Sequence, residues 1–134
     1  MRLIIDTNEI ISALIKNSIS RKIILNNNFN FYSPDFVKFE IYKHKNLILK
    51  KSNLTELEFN EVISILFDNI TVIDISVYFN YLNKAKLEIN DENDLPFLAL
   101  ALSGNYDGIW TNDKDFDGVK SIRVYSTKDL IKFL

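Results

Sequence analysis

The sequence contains no cysteine, two prolines, three glycines and a single histidine among its 134 residues. Without cysteine there is no disulfide framework, no thiolate metal site and no cysteine nucleophile. One histidine means that a serine–histidine–acid hydrolase or a two-histidine metal site would have to be built on His44 alone. No apolar run approaches the roughly 18–20 residues of a membrane span. The opening Met1-Arg2-Leu3-Ile4-Ile5-Asp6 meets an acid too early for a secretory leader. The expectation is a soluble, cytoplasmic protein with no membrane partner. Carboxylates, by contrast, are plentiful: 18 Asp and Glu stand against 16 Lys and Arg, for a formal net charge of −2. Any chemistry must rest mostly on them. A hydrophobic content of 47% argues against disorder, and the length suits one domain over residues 1–134.

Leu3-Ile4-Ile5 is a short apolar burst of the kind buried on both faces of a sheet. Beyond Asp6, the residues Ile10, Ile11, Leu14 and Ile15 recur at helical spacing. The pattern then predicts a helix over 20–26, a strand over 29–32, and a helix from Pro34 to about Lys50 with Ser33 as N-cap. A further helix opens at Thr55, where Thr55 and Glu58 have capping-box spacing. Strands are predicted over 70–75, 108–111 and 122–125, and helices over 76–87, 97–102 and 127–134, with Gly104 closing the second of these three helices. Strands alternating with helices imply right-handed crossovers and a parallel sheet covered on both faces.

Ligands of such sheets bind beyond the carboxyl ends of the strands. Asp6 and Asp113 fall there, with Asp115 two residues on; both positions also suit ordinary turn or N-cap residues. Glu40 shares a helical face with Phe36, Val37, His44 and Leu47, so its carboxylate needs compensation from a metal ion, Lys43 or His44. Asp91 and Asp94 precede the apolar helix containing Pro96, where Asp94 or Asn93 is a natural N-cap. Asp6, Glu40, Asp94 and Asp113 thus come from four separate elements. Their mutual repulsion is tolerable around divalent cations or with raised pKa values. An all-oxygen ligand set suits Mg²⁺ or Mn²⁺ over Zn²⁺, and hard cations in such a cup suit phosphodiester hydrolysis.

Four segments carry a family resemblance: Ile4-Ile5-Asp6-Thr7-Asn8; Phe36-Val37-Lys38-Phe39-Glu40-Ile41; Asp91-Glu92-Asn93-Asp94-Leu95-Pro96-Phe97-Leu98-Ala99-Leu100-Ala101; and Ile109-Trp110-Thr111-Asn112-Asp113-Lys114-Asp115-Phe116. Across essentially the whole chain the sequence resembles a PIN domain, the nuclease fold of the toxin half of VapBC toxin–antitoxin pairs. The resemblance implies an α/β fold, a three-layer α/β/α sandwich around a central, mainly parallel five-stranded sheet. By position, Asp6, Glu40, Asp94 and Asp113 match the family's acidic catalytic and metal-binding quartet, and Asp91 and Asp115 match accessory acids. Thr7, Asn8 and Thr111 fall where the family places polar residues that steady the carboxylates. Also implied are Mg²⁺ or Mn²⁺, endonucleolytic cleavage of RNA, homodimers and, for a toxin, a cognate antitoxin. A housekeeping RNA-processing nuclease and an inactive binding module share the fold; the intact acid set disfavours inactivity. Lys38, Lys43, His44 and Lys45 lie beside Glu40 in the chain, where they either steer an RNA backbone or form a solvated helix face.

Overall fold

The computed structural model describes residues 1–134. Strand β1 (Arg2–Ile5) leads through α1 (Thr7–Ile15) and α2 (Ile19–Ile24) to β2 (Asn30–Pro34). Helices α3 (Phe36–Lys43), α4 (Lys45–Ser52) and α5 (Glu56–Phe67) carry the chain to β3 (Ile70–Ile73). From there α6 (Ile75–Tyr78), a 3₁₀ turn at Phe79–Tyr81, α7 (Leu82–Ala85) and α8 (Leu95–Ser103) lead to β4 (Gly108–Trp110). A second 3₁₀ turn (Lys114–Phe116), β5 (Val124–Tyr125) and α9 (Thr127–Ile131) complete the fold.

The sheet order is β3-β2-β1-β4-β5, and every pairing is parallel. β1 is the central strand, which is why Leu3, Ile4 and Ile5 are all fully buried. Parallel strands need right-handed crossovers. Moving from β1 through β2 to β3 puts α1–α5 on one face, where α1 packs against α2, α3, α4 and α5. The return from β3 to β4 puts α6–α8 on the other, with α8 against β1, β2 and β4. Sandwiched between sheet and helices, α8 is apolar all round, and Phe97 to Ala101 are buried. The result is the expected three-layer sandwich. Its sheet is parallel throughout.

Several local expectations are corrected. Pro34 ends β2 and does not open a helix; the ladder to β1 has already finished at Tyr32, so its missing N–H leaves no β1 carbonyl unpaired. Ser33 is a buried strand residue whose hydroxyl donates to the carbonyl of Ile5 at 3.2 Å. The helix expected over 34–50 is two helices, because the chain turns at His44 (φ −99°, ψ 9°). The helix expected over 76–87 is likewise broken, by the 3₁₀ turn. Tyr78 is 1% exposed, and its hydroxyl donates to Asp35 at 2.6 Å. Gly104 ends α8 in an extended conformation (φ −145°) and makes no left-handed cap. Gly108 is required by close approach: a Cβ there would lie 2.5 Å from the carbonyl oxygen of Arg123. The Thr55–Glu58 capping box forms as expected, with bonds of 3.1 and 3.0 Å.

Candidate metal centre

The strand order reverses between β1 and β4, and in open parallel sheets the ligand crevice lies at such a switch point, at the carboxyl edge. Asp6 follows β1 directly and is 4% exposed. Its backbone N–H donates to the carbonyl of Trp110 at 3.1 Å, tying the start of α1 to the end of β4. Its Oδ2 accepts from the Thr111 hydroxyl at 2.8 Å. Thr111 Oγ1 in turn accepts the backbone N–H of Asp113 at 3.0 Å, so one threonine fixes two acids. Asp113 is half-buried and caps the following 3₁₀ turn through Asp115 N–H at 2.9 Å. Burial pushes the Asp6 carboxyl up to about 6 against the Thr111 bond, and the charges of Asp113 and Glu40 add to the rise.

Glu40 reaches this edge from α3. Val37 and Ile41 on either side of it are fully buried, which leaves Glu40 half-buried at the margin of the apolar face. Leu47, expected on the same face, is 50% exposed because the break at His44 rotates α4 away. The Thr7 hydroxyl donates to Glu40 Oε1 at 2.6 Å. Burial raises the Glu40 pKa; the Thr7 bond and the charges of His44 and Lys43 oppose the rise, and Asp91 adds to it. Thr7→Val removes a donor to the charged form. A carbon-detected titration should then show the Glu40 midpoint moving upward, with about 1 kcal/mol of stability lost at pH 7. An unmoved midpoint would remove Thr7 from this role.

The basic residues divide. Lys43 and His44 are exposed one helical turn beyond Glu40 and act on its charge. Lys38 lies over the Phe67 ring at 5.8 Å and lines an apolar pocket of about 160 Å³ with Ile41 and Ile63. Lys45 pairs with Glu56 at 3.6 Å and sits over Phe59. Lys38 and Lys45 are therefore turned toward α5 instead of toward the acids.

Asp94 closes the crevice from the start of α8 and is 7% exposed. It occupies the N-cap position, yet its side chain caps nothing, contrary to the capping role the sequence suggests. One of its oxygens, Oδ2, is buried without any hydrogen-bond partner. The carboxylates of Asp91, Asp94 and Asp115 approach so that one oxygen from each lies within 4.8 Å of the others. This tightest trio consists of Asp94 and the two acids assigned accessory roles. Asp6, Glu40 and Asp113 surround it and do not belong to it. Burial, the Asp115 carboxyl beside it, and the charges of Asp6, Asp91 and Asp113 push Asp94 up to about 8. A cation would satisfy these oxygens. The donor set is all carboxylate and includes an orphaned buried oxygen, which fits a hard dication such as Mg²⁺ or Mn²⁺.

Asn8, expected to steady the acids, is exposed on the first turn of α1, and its side chain donates to none of them. Sequence reasoning missed Glu9. This residue is 3% exposed, and both its oxygens accept from Asn112: Oε2 from the backbone N–H at 3.2 Å and Oε1 from the side-chain Nδ2 at 2.9 Å. Burial pushes Glu9 up to about 7 against those bonds, with Asp6 and Asp113 contributing. Thr127 holds Asn112 from the far side. The sequence carried no signal for it, because an acid in the polar first turn of α1 reads as an ordinary helix start.

The fold is a doubly wound parallel α/β sandwich, with its acids gathered at the topological switch point. The family model for the PIN domain matches residues 4–132, and the chain belongs to that family. No curated protein matches it in sequence. Among solved structures, the chain is similar to VapBC2 from Rickettsia felis, crystallised bound to a DNA fragment from their promoter. The identity is 19% and the TM-score 0.72, over 94% of this chain and 98% of that one. At that identity the likeness concerns the fold.

Proposed function

We propose that the protein is a metal-dependent endoribonuclease that hydrolyses RNA phosphodiester bonds, and that it is the toxin of a VapBC-type pair. The observation that carries this reading is the buried, partnerless Oδ2 of Asp94 within a carboxylate cluster at the switch point. Membership of the PIN family and the fold shared with VapBC2 support it. In this reading Asp6, Asp94 and Asp113 hold Mg²⁺ or Mn²⁺, Glu40 completes the cup, and Asp91 and Asp115 are accessory. A bound dication of this kind lowers the pKa of water and offsets the charge of a phosphate and its leaving oxygen. The chain's own groups set the geometry. Thr111 orients Asp6 and Asp113, Thr7 orients Glu40, and Lys43 and His44 draw the RNA backbone toward the crevice.

The partner this reading calls for is a protein antitoxin. Phe39, Tyr42 and Leu57 on α3 and α5 are more than half exposed and offer apolar area for it or for a homodimer. No helix is long and apolar enough to cross a membrane. The test is incubation of the purified protein with labelled structured RNAs. Internal cleavage should appear with Mg²⁺ or Mn²⁺ and disappear with chelator. Intact RNA under every metal condition would refute the proposal.

A further inference from the structure

We infer that Glu9 is a positioning residue: it braces the Thr111–Asp113 segment against α1 so that Asp113 stays turned toward Asp6, a role that rests on the nuclease reading above. Both Glu9 oxygens accept from Asn112, and Glu9 lies outside the Asp91, Asp94 and Asp115 cluster. The contact joins residues 103 positions apart and links α1 to the segment after β4. From the opposite side, Asn112 Nδ2 donates to Thr127 Oγ1 at 2.8 Å, and Thr127 N–H donates to Asn112 Oδ1 at 2.9 Å. Thr127 Oγ1 is itself fixed by Trp110 Nε1 at 3.0 Å. Asn112 is thereby clamped between α1 and α9, and its two chain neighbours are Thr111, the donor to Asp6, and Asp113.

The physical need for such a brace is plain. Asp113 and Asp6 repel each other, and segments that follow strands are the mobile part of an α/β fold. Left free, Asp113 would swing away from the crevice until a cation arrived, and ordering it then would weaken binding. Burying a carboxylate is costly, and an apolar residue at position 9 would pack α1 with less penalty. Only a group with two acceptor oxygens meets both Asn112 donors. Glutamine has the same shape but sets one NH₂ against a donor.

Glu9→Gln is therefore the discriminating variant, compared at pH 8 with the parent and with Glu9→Gln combined with Asn112→Asp. In the double variant, the amide oxygen at position 9 takes the backbone N–H and its NH₂ donates to the new carboxylate, so both links return. Hydrogen exchange of the residue 112 backbone amide in metal-free protein reads the brace directly, and calorimetric titration with Mn²⁺ reads its consequence. Glu9→Gln should lose at least about tenfold in amide protection and about 10- to 100-fold in Mn²⁺ affinity. The double variant should recover both to within about threefold of the parent. Unchanged values in the single variant would overturn the inference, as would losses that the double variant fails to restore. If the parent gives no Mn²⁺ heat, the nuclease reading falls, and amide exchange alone decides the brace.

Discussion

Asp6→Asn should reduce Mg²⁺-supported RNA cleavage by at least about 10²–10³-fold and, in chelator at pH 8, make the protein more stable. The first effect follows from the position. Asp6 is the acid at the centre of the sheet edge, and its charge acts on Asp94 and Glu9 while those of Asp113 and Glu40 act on it. A dication contributes several kcal/mol of charge stabilisation, and each ~1.4 kcal/mol is tenfold in rate. The second effect follows from burial. With its carboxyl raised to about 6, Asp6 is charged at pH 8 in a site that disfavours the charge. Asparagine keeps an oxygen for the Thr111 hydroxyl and removes the charge, for a gain of about 1–3 kcal/mol. At pH 5 the gain should fall to about half, and it vanishes only below about pH 4, where Asp6 is protonated in the folded and the unfolded chain alike. Thermal unfolding at the two pH values, beside the cleavage assay, checks both. Retained cleavage would remove Asp6 from the metal set; lower stability at pH 8 would mean that the charge of Asp6 is compensated within the chain itself.

The parts of the fold that could be read from the sequence were those decided locally. Leu3-Ile4-Ile5 reads as a doubly buried strand because nothing polar interrupts it, and the Thr55–Glu58 box reads as a helix start because the cap is made within four residues. The segments Asp91–Ala101 and Ile109–Phe116 carry the family pattern, and the family match over 4–132 bears it out. Where the reading failed, the deciding contact lay elsewhere in the chain. Ser33-Pro34 has the chemistry of a cap and first turn, but β1 and β3 draw it into the sheet. Asp35 takes the N-cap position, and its carboxylate accepts from Ile75 N–H and Tyr78 of the neighbouring layer. His44 interrupts a helix with no proline or glycine to announce it.

The candidate site shows the same division. Asp6, Asp94, Asp113 and Glu40 are brought to one edge, and Thr7 and Thr111 hold carboxylates as their positions suggested. The spacing could not reveal that Asp94 gathers with Asp91 and Asp115, because Asp115 comes from the turn after β4, on a different element. Nor could it show Lys38 and Lys45 turned to α5, where aromatic rings and Glu56 compete for them. Glu9 was the largest omission. An acid in the first turn of a helix ordinarily faces solvent and favours the dipole; here the residues after β4, at the far end of the sequence, cover it.

In chelator, stability should fall as pH rises from about 5 to about 8, the reverse of what an acidic chain that gains from ionised surface pairs would show. Asp6, Glu9 and Asp94 are held at about 6, 7 and 8 in the folded protein. The same groups in the unfolded chain release their protons near 4. Between those limits the folded state binds more protons than the unfolded one, so raising the pH favours unfolding. Glu88 and Asp129 are shifted the other way by hydrogen bonds from Ser121 and from the backbone of Ser126, and the stability they contribute is lost as pH falls through the ordinary carboxylate range. The two limbs place the maximum near pH 4, where the unfolded carboxyls release their protons. The alkaline limb should lower the melting temperature by about 10 °C, corresponding to a few kcal/mol. Mg²⁺ at millimolar concentration takes the place of the protons, so its stabilisation should be absent at pH 5 and largest at pH 8. Asp94→Asn should flatten the alkaline limb most, since Asp94 keeps its proton longest. Stability that holds steady or rises from pH 5 to 8 in chelator would mean that these carboxylates do not share one desolvated crevice. A Mg²⁺ effect of equal size at both pH values would place the ion elsewhere.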